Sequence, residues 1–405
     1  MSAARRHIGP AERRARLAVG QRLAGAARAD TPEEVGATMV ALHGTDPASV
    51  HLAVGARLAD ATKTVPEMER ALYEDRTLIR MHGMRHTVFV FPTELVPVVH
   101  ASTGLAVAAR ARAALLKDMA AAGAPDARWL TEVETSALAA LARRGEATAA
   151  ELARDEPRLR EQFAYAPGKS YEGVHTVSSR LLRVLGVEGR VVRGRPLGSW
   201  TSTQFRWAVA PPCAELPVAE AQAELTRRWL AACGPATEAD LKWWTGWKVS
   251  DVRRALGAVG AVAVSVDEGE AYVLADAVEP VEAVEPWAAL LPGLDPTAMG
   301  WRERDWYCPP ELRPALFDGS GNIGPTVWWD GRIVGGWAQR PDGEITWRLL
   351  DTEGVEGTEG TDSGSRSAEA RDAIDAEAVR LRSWMGPTRV TPRFRTPLER
   401  ELASA

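Results

Sequence analysis

Reactive side chains are scarce in this 405-residue chain, and their spacing excludes more chemistry than it permits. Cys213, Cys233 and Cys308 are odd in number and far apart, which fits neither a disulfide framework nor a zinc site. The seven histidines fall in no metal-ligand pattern, so no metal and no cofactor is expected. No Gly-rich phosphate loop and no nucleophile elbow is present, which leaves a small-molecule enzyme with little support. Charge is more informative. The formal net charge is −5, yet residues 1–28 carry seven arginines against the single acid Glu12. Residues 180–195 carry five arginines against Glu188. Residues 261–285 hold Asp267, Glu268, Glu270, Asp276, Glu279, Glu282 and Glu285 with no Lys or Arg. Segregated charge lets one face meet phosphate while the total stays negative, although arginines on a solvated helix face would look the same.

The elements that would position these charges follow a repeated order. In a first copy, Glu12–Arg28 reads as a helix, Thr31-Pro32-Glu33-Glu34 opens a second, and Asp46-Pro47 starts a third. Thr and Asp cap free N–H groups, and proline needs none at the first helical position. The β-rich runs Leu78–Met81 and Thr87–Phe91 follow. A second copy opens with a helix near Thr131–Ala142, then a capping box at Thr148-Ala149-Ala150-Glu151 and helical residues His175–Leu185. Its hairpin pairs Arg190–Pro196 with Thr203–Val209. A third has Val218–Ala232, a box at Thr237-Glu238-Ala239-Asp240, a helix capped by Ser250, and the strands Ala261–Val266 and Ala271–Leu274. Helix, helix, helix, hairpin is the winged helix-turn-helix order, and three in series point to DNA.

After Pro286 the texture changes. Trp287, Trp301, Trp306, Trp328, Trp329, Trp337 and Trp347 crowd a region with hairpin turns at Asp330-Gly331 and Asp342-Gly343. The tryptophans read as core. The expected fold class is α+β, with three tandem winged helix-turn-helix units followed by a small Trp-rich antiparallel β-barrel. The expected boundaries are 1–105, 106–212, 213–280, and 281–351 plus 368–405, with 352–367 a mobile linker. No run approaches a membrane span and the Arg-rich N-terminus lacks an apolar signal core, so a cytoplasmic, nucleoid-associated protein without a membrane partner is expected.

Several strings resemble the AlkZ/YcaQ-like group of winged-helix DNA glycosylases, threaded through nearly the whole chain. They are Ala41-Leu42-His43-Gly44-Thr45-Asp46-Pro47, Ala56-Arg57-Leu58, Leu78-Ile79-Arg80, Met84-Arg85-His86-Thr87, Gly234-Pro235-Ala236-Thr237 and Trp243-Trp244-Thr245-Gly246. Leu290-Leu291-Pro292-Gly293-Leu294-Asp295-Pro296 and Asn322-Ile323-Gly324-Pro325-Thr326 complete the set. The resemblance implies three winged helices and a β-barrel around a concave DNA-binding surface. It implies hydrolysis of the N-glycosidic bond of N7-alkylated purines, in bulky adducts or interstrand cross-links. In such families this often serves self-resistance in producers of alkylating natural products. The implied partner is double-stranded DNA, alkylated or cross-linked, bound by a monomer.

The family's signature is Q-x-Q or Q-x-D directly before a D-P, and here those positions hold His43 and Thr45. The departure puts the chemistry in question. An N7-alkylated guanine already carries positive charge, so the enzyme needs chiefly to position water at the sugar C1′ and stabilise a cationic sugar. A neutral His43 can accept a hydrogen bond from that water, and Thr45 can hold the water or orient His43. Otherwise His43 is a histidine of an interhelical turn. Asp46 reads as the cap before Pro47. Arg80, His82, Arg85 and His86 on the first hairpin, and Arg193 and Arg195 on the second, are expected to contact DNA as wing residues. The acidic third hairpin is expected to face away from it. The alternative is a non-catalytic DNA-binding protein, a regulator or damage-binding member that has lost the Gln motif.

Overall fold

The structure is a computed structural model that describes residues 5–165, 172–350 and 363–404. Of the linker expected at 352–367, residues 352–362 lie outside the described residues, and from Ser363 the chain is helical. The chain forms mixed helices and small antiparallel sheets, an α+β fold.

Local signals set the helix starts. Thr31 Oγ1 accepts from Glu34 N at 3.2 Å and opens Pro32–Met39. Only half of the expected box forms, because Glu34 reaches Asp30 N rather than the cap. Asp46 accepts from Ala48 N at 3.1 Å and opens Pro47–Gly55. Thr148 with Glu151 and Thr237 with Asp240 make complete capping boxes. Thr131, expected to start a helix, lies inside Ala127–Arg144, which Asp126 caps. Its hydroxyl bonds back to Ala127 O at 2.9 Å. Lys248, not Ser250, occupies the cap position of Val249–Ala258.

The repeat has a different phase in its first copy. In the second copy the helix Ala127–Arg144 runs into a two-residue strand, β4 (Glu146–Ala147), before the capped helix Ala149–Asp155. Strand β4 pairs with β8 (Phe205–Val209), which pairs with β7 (Val191–Pro196). In the third copy Ala236, just before the Thr237 cap, bridges Tyr272 on β10 (Gly269–Val273), the partner of β9 (Val262–Val266). The first copy matches only if it starts at Pro32–Met39. Strand β1 (Leu42–His43) then precedes the Asp46 cap and pairs with β3 (Val88–Pro92), which pairs with β2 (Leu78–His82). The first helix, Pro10–Gly20, therefore stands outside the repeat. It ends earlier than expected, and Arg22 takes a left-handed φ of 59°. A hairpin that the sequence reading lacked, β5 (Gln162–Tyr165) with β6 (Gly173–Thr176), precedes the helix Val177–Val187 and places His175 on a strand.

The Trp-rich region is an open four-stranded sheet in the order β11 (Ala288–Leu291), β12 (Thr326–Trp329), β13 (Arg332–Gln339), β14 (Ile345–Leu349). The expected barrel does not close. Val327, Trp329, Val334 and Trp337 on one face pack with Ala370, Ile374 and Leu381 of the helix Ser363–Met385. Trp328 and Ile333 on the other pack with Leu398 and Leu402 of Pro397–Ser404. With both faces covered by helices, strand-to-strand closure is not needed to bury them. Asp330 and Gly331 have φ of 47° and 79°, the left-handed pair a two-residue hairpin turn needs. Trp287, Trp301, Trp306, Trp328, Trp329 and Trp337 are all buried, as core.

One buried ion pair joins these parts. Arg57 and Asp295 are both fully buried, with paired contacts of 2.9 and 2.7 Å. Arg57 also donates to Gln21 O, Ala53 O and Thr297 Oγ1. Removing one partner of such a pair leaves a charge without compensation. Asp295→Ala is expected to lower the unfolding free energy by roughly 3–5 kcal/mol, measured by urea denaturation. A loss below about 1 kcal/mol would show that the pair is no anchor.

Two buried histidines make the fold acid-sensitive. Burial pushes His51 down to about 4 and His82 down to about 3, the latter helped by the charges of Arg193 and Arg183. In the unfolded chain each takes a proton near pH 6.5, which the folded state refuses until far lower. Their contribution is therefore complete above about pH 6.5 and is lost as the pH falls toward 4, by about 2 kcal/mol per residue at pH 5. Urea midpoints of the wild type and His51→Gln should converge between pH 7 and pH 5. A pH-independent gap between them would contradict this.

Candidate active site

The segment from His43 to Asp46 is held by its backbone. His43 sits at the end of β1, opposite Phe89, with the two rings edge-on at 5.3 Å. It is thus a strand residue rather than part of an interhelical turn. Gly44 N donates to Val88 O at 2.8 Å. A Cβ on Gly44 would lie 3.1–3.3 Å from main-chain atoms of Phe89 and Val88, a tight contact that a side chain could take only by moving the neighbouring strand a few tenths of an ångström. The Gly44 carbonyl accepts from the buried Arg80 guanidinium, through Nε at 2.9 Å and also through Nη2. Thr45 is half-buried and its carbonyl accepts from Arg393 Nη1 at 3.3 Å. Asp46 is buried with both oxygens engaged, Oδ1 by Ala48 N and Oδ2 by Arg393 N at 3.0 Å. Asp46 is a cap and a tether for the C-terminal tail.

A cleft of about 570 Å³ opens beside His43. Arg85, Trp243, Arg302, Arg304 and Arg313 line it with His43, and among the described residues no acid lines it. Thr45 is not among the lining residues. Arg302 lies 3.5 Å from Glu303, and Arg313 pairs with Asp305. Arg85 and Arg304 instead sit over the Trp243 ring, at 4.6 and 5.3 Å from its centre. Burial, and then the positive charge of Arg304, holds the Arg85 guanidinium below its usual range. His43 is half-buried in this setting, and its Nδ1 has no hydrogen-bond partner among the described residues. Burial first, and the Arg85 charge second, push it down to about 4. The imidazole is therefore neutral at pH 7.

The expected wing residues fare differently from one another. Arg85, with a left-handed φ of 52°, is exposed and lines the cleft. His86 beside it is half-buried, and burial lowers its pKa. Arg80 and His82 do not stand on an exposed wing as expected: both are buried, 6% and 7% exposed, because β2 packs against β7 and the helix Val177–Val187. Arg80 spends its guanidinium on the Gly44 carbonyl of its own unit. Arg193 lies over Phe205 at 4.2 Å and is pushed down to about 9, by burial and then by the charges of Arg80 and Arg393. Arg195 bonds Glu69 at 2.8 Å and lies 3.5 Å from Glu74, both in the first unit. The N-terminal arginines are also engaged. Arg13 is buried, grips Glu268 at 2.7 Å and lies over Trp306, while Arg5 pairs with Glu270. The acidic hairpin is therefore a dock for the N-terminus and not a free, repelling wing. Sequence reasoning missed Trp243, Arg302, Arg304, Arg313 and Arg393 as site residues. No local spacing brings them to His43; only long-range packing does.

The profile of the family described as DNA glycosylase AlkZ-like matches residues 37–384, and this chain belongs to that family. Among solved structures, Streptomyces sahachiroi DNA glycosylase AlkZ has a TM-score of 0.67 at 20% sequence identity, covering 95% of this chain and 98% of that one. No curated protein sequence matches the chain. Membership of a DNA glycosylase family implies DNA as the bound macromolecule. Among the described residues, no group of three or more His, Cys, Asp or Glu side chains is placed to hold a metal ion.

Arg80 separates the two roles a hairpin arginine can have. Arg80→Met should strip the Gly44 carbonyl of its donor, lower stability by about 1–3 kcal/mol, and leave the salt dependence of duplex binding unchanged. A reduced salt slope without loss of stability would return Arg80 to the DNA interface.

Proposed function

We propose that the protein is a DNA glycosylase that hydrolyses the N-glycosidic bond of N7-alkylated purines, as bulky adducts or cross-links in double-stranded DNA. It acts as a monomer whose repeated units are winged helix-turn-helix modules, in the nucleoid of the cytoplasm. The observation that carries this reading is the neutral, unpartnered His43 imidazole at the edge of an arginine-lined cleft, in the position where the family has glutamine. The bond from C1′ to the alkylated base breaks with its electron pair leaving on the base, which neutralises the base and leaves a cationic sugar. A neutral imidazole can accept a hydrogen bond from the water that adds to C1′ and take its proton. A charged one would repel the substrate. Thr45, fixed through its carbonyl to Arg393, is assigned the lesser part of keeping this segment in place or holding the same water.

One observation favours the non-catalytic alternative. Among the described residues no carboxylate lines the cleft to stabilise the cationic sugar, and Asp46 is fully engaged elsewhere. The two readings part on one experiment. Duplex DNA carrying an N7-alkylguanine is incubated with enzyme, and abasic sites are scored. Wild type is expected to excise; His43→Ala should lose roughly 100-fold or more, while His43→Gln, which restores the family's residue, keeps activity. The wild-type rate at pH 6 should match that at pH 8, whereas an imidazole of ordinary pKa would lose roughly fourfold at pH 6. Wild type without excision supports the non-catalytic reading, and His43→Ala at wild-type rate removes His43 from the site.

A further inference from the structure

A second cleft, of about 480 Å³, shares Arg85 with the first. Its walls come from the helix Leu105–Ala121, the helix Val218–Cys233 and the turn into Val249–Ala258. Arg110, Lys248 and Arg254 bring positive charge to it, and the one acid lining it among the described residues, Asp251, is held by Arg254 at 2.8 Å. The helix Val249–Ala258 starts here without a side-chain cap, leaving the positive end of its dipole and its free N–H groups to whatever enters. A second, independent feature points to a ligand. Gln222 lines the same cleft at only 5% exposure, and its amide has no hydrogen-bond partner among the described residues. With no partner in the protein, that amide takes its hydrogen bonds from whatever occupies the cleft, water or ligand.

Phosphate oxygens suit all of these donors at once: guanidinium, ammonium, amide and helix N–H. Because Arg85 is common to both clefts, a chain of phosphates can run from one into the other. We infer that this second cleft carries the DNA backbone away from His43, so that the third repeated unit meets DNA through the start of the helix Val249–Ala258 and not through its hairpin. The inference rests on DNA being the ligand of the His43 cleft. It also accounts for a basic helix start in the unit whose hairpin acids are occupied by Arg5 and Arg13.

The test compares neighbouring arginines. Arg254 lines the cleft, whereas Arg253 points elsewhere, paired with Glu238 at 2.6 Å. Binding of an undamaged, labelled duplex is measured by fluorescence anisotropy over a range of salt. Arg254→Ala and Lys248→Ala should each lower the slope of log K against log salt by about 0.9, and Arg253→Ala should leave it in place. Equal effects at 253 and 254, or none at 248 and 254, would overturn the second cleft while leaving the glycosylase reading intact. Wild type that fails to bind duplex even at low salt overturns both. Displacement of the duplex by inorganic phosphate beyond its contribution to ionic strength would mark a free-anion site and overturn the strand assignment.

Discussion

The Arg57–Asp295 pair constrains everything around it. Five guanidinium N–H groups meet five acceptors, on Gln21, Ala53, Thr297 and the two carboxylate oxygens. Thr297 passes the contact to Gln21 Oε1, and Gln21 Nε2 reaches Ala232 O in the third unit. A charge with no access to water holds only when every donor is met, so the N-terminal helix, the first and third units and the Trp-rich module are fixed together. The helix Pro47–Gly55 is buried along its whole length and sits at the centre of this arrangement. Its C-terminal end is held by Arg57 at Ala53 O and by Arg380 at Gly55 O. Its N-terminal end is held by Arg393 N on Asp46. His43 lies three residues before that end, so the position of the imidazole follows from the clamp.

Much of this was legible in short-range patterns, because caps and turns act within four residues. Thr31, Asp46, Thr148 and Thr237 cap as their sequences imply, and Asp330-Gly331 turns as its residues imply. The phase of the first repeat was not legible, because β1 is two residues long and becomes a strand only by pairing with Phe89 and Val90, more than forty residues away. The barrel was not legible as an open sheet for the same kind of reason: what covers its faces comes from Ala370, Ile374 and Leu398, far along the chain. The strings Ala56-Arg57-Leu58 and Leu294-Asp295-Pro296 stood out separately. Only the fold shows that their charged members form one pair.

Charge was the least legible property. A run of arginines reads as a surface for phosphate, but a partner hundreds of residues away decides whether the charge is free. Arg13 meets Glu268, Arg195 meets Glu69, and Arg80 meets a carbonyl in its own unit. In the His43 cleft the cations without an acid partner among the described residues, Arg85 and Arg304, come from different modules and meet over Trp243. The density of arginine in the sequence therefore marks mostly paired charge, and the shortage of nearby acid in the fold marks the candidate cleft instead.

That arrangement bears on how a histidine can replace a glutamine. An amide is neutral at any pH, whereas an imidazole is neutral only if its surroundings oppose the proton. Here burial and the Arg85 charge do so together. The arginines that keep His43 neutral would also repel a cationic base, unless DNA phosphates lie between them and it. On the glycosylase reading the substrate brings its own counter-charge: the backbone neutralises Arg85 and Arg304 on binding, and its remaining negative field is what a cationic sugar would meet in a cleft without a carboxylate. Bound phosphate at Arg85 would also relax part of the force that lowers the His43 pKa, leaving burial as the main one. Burial, the larger cause of the lowered His43 pKa, is not removed by a bound phosphate and continues to oppose the proton.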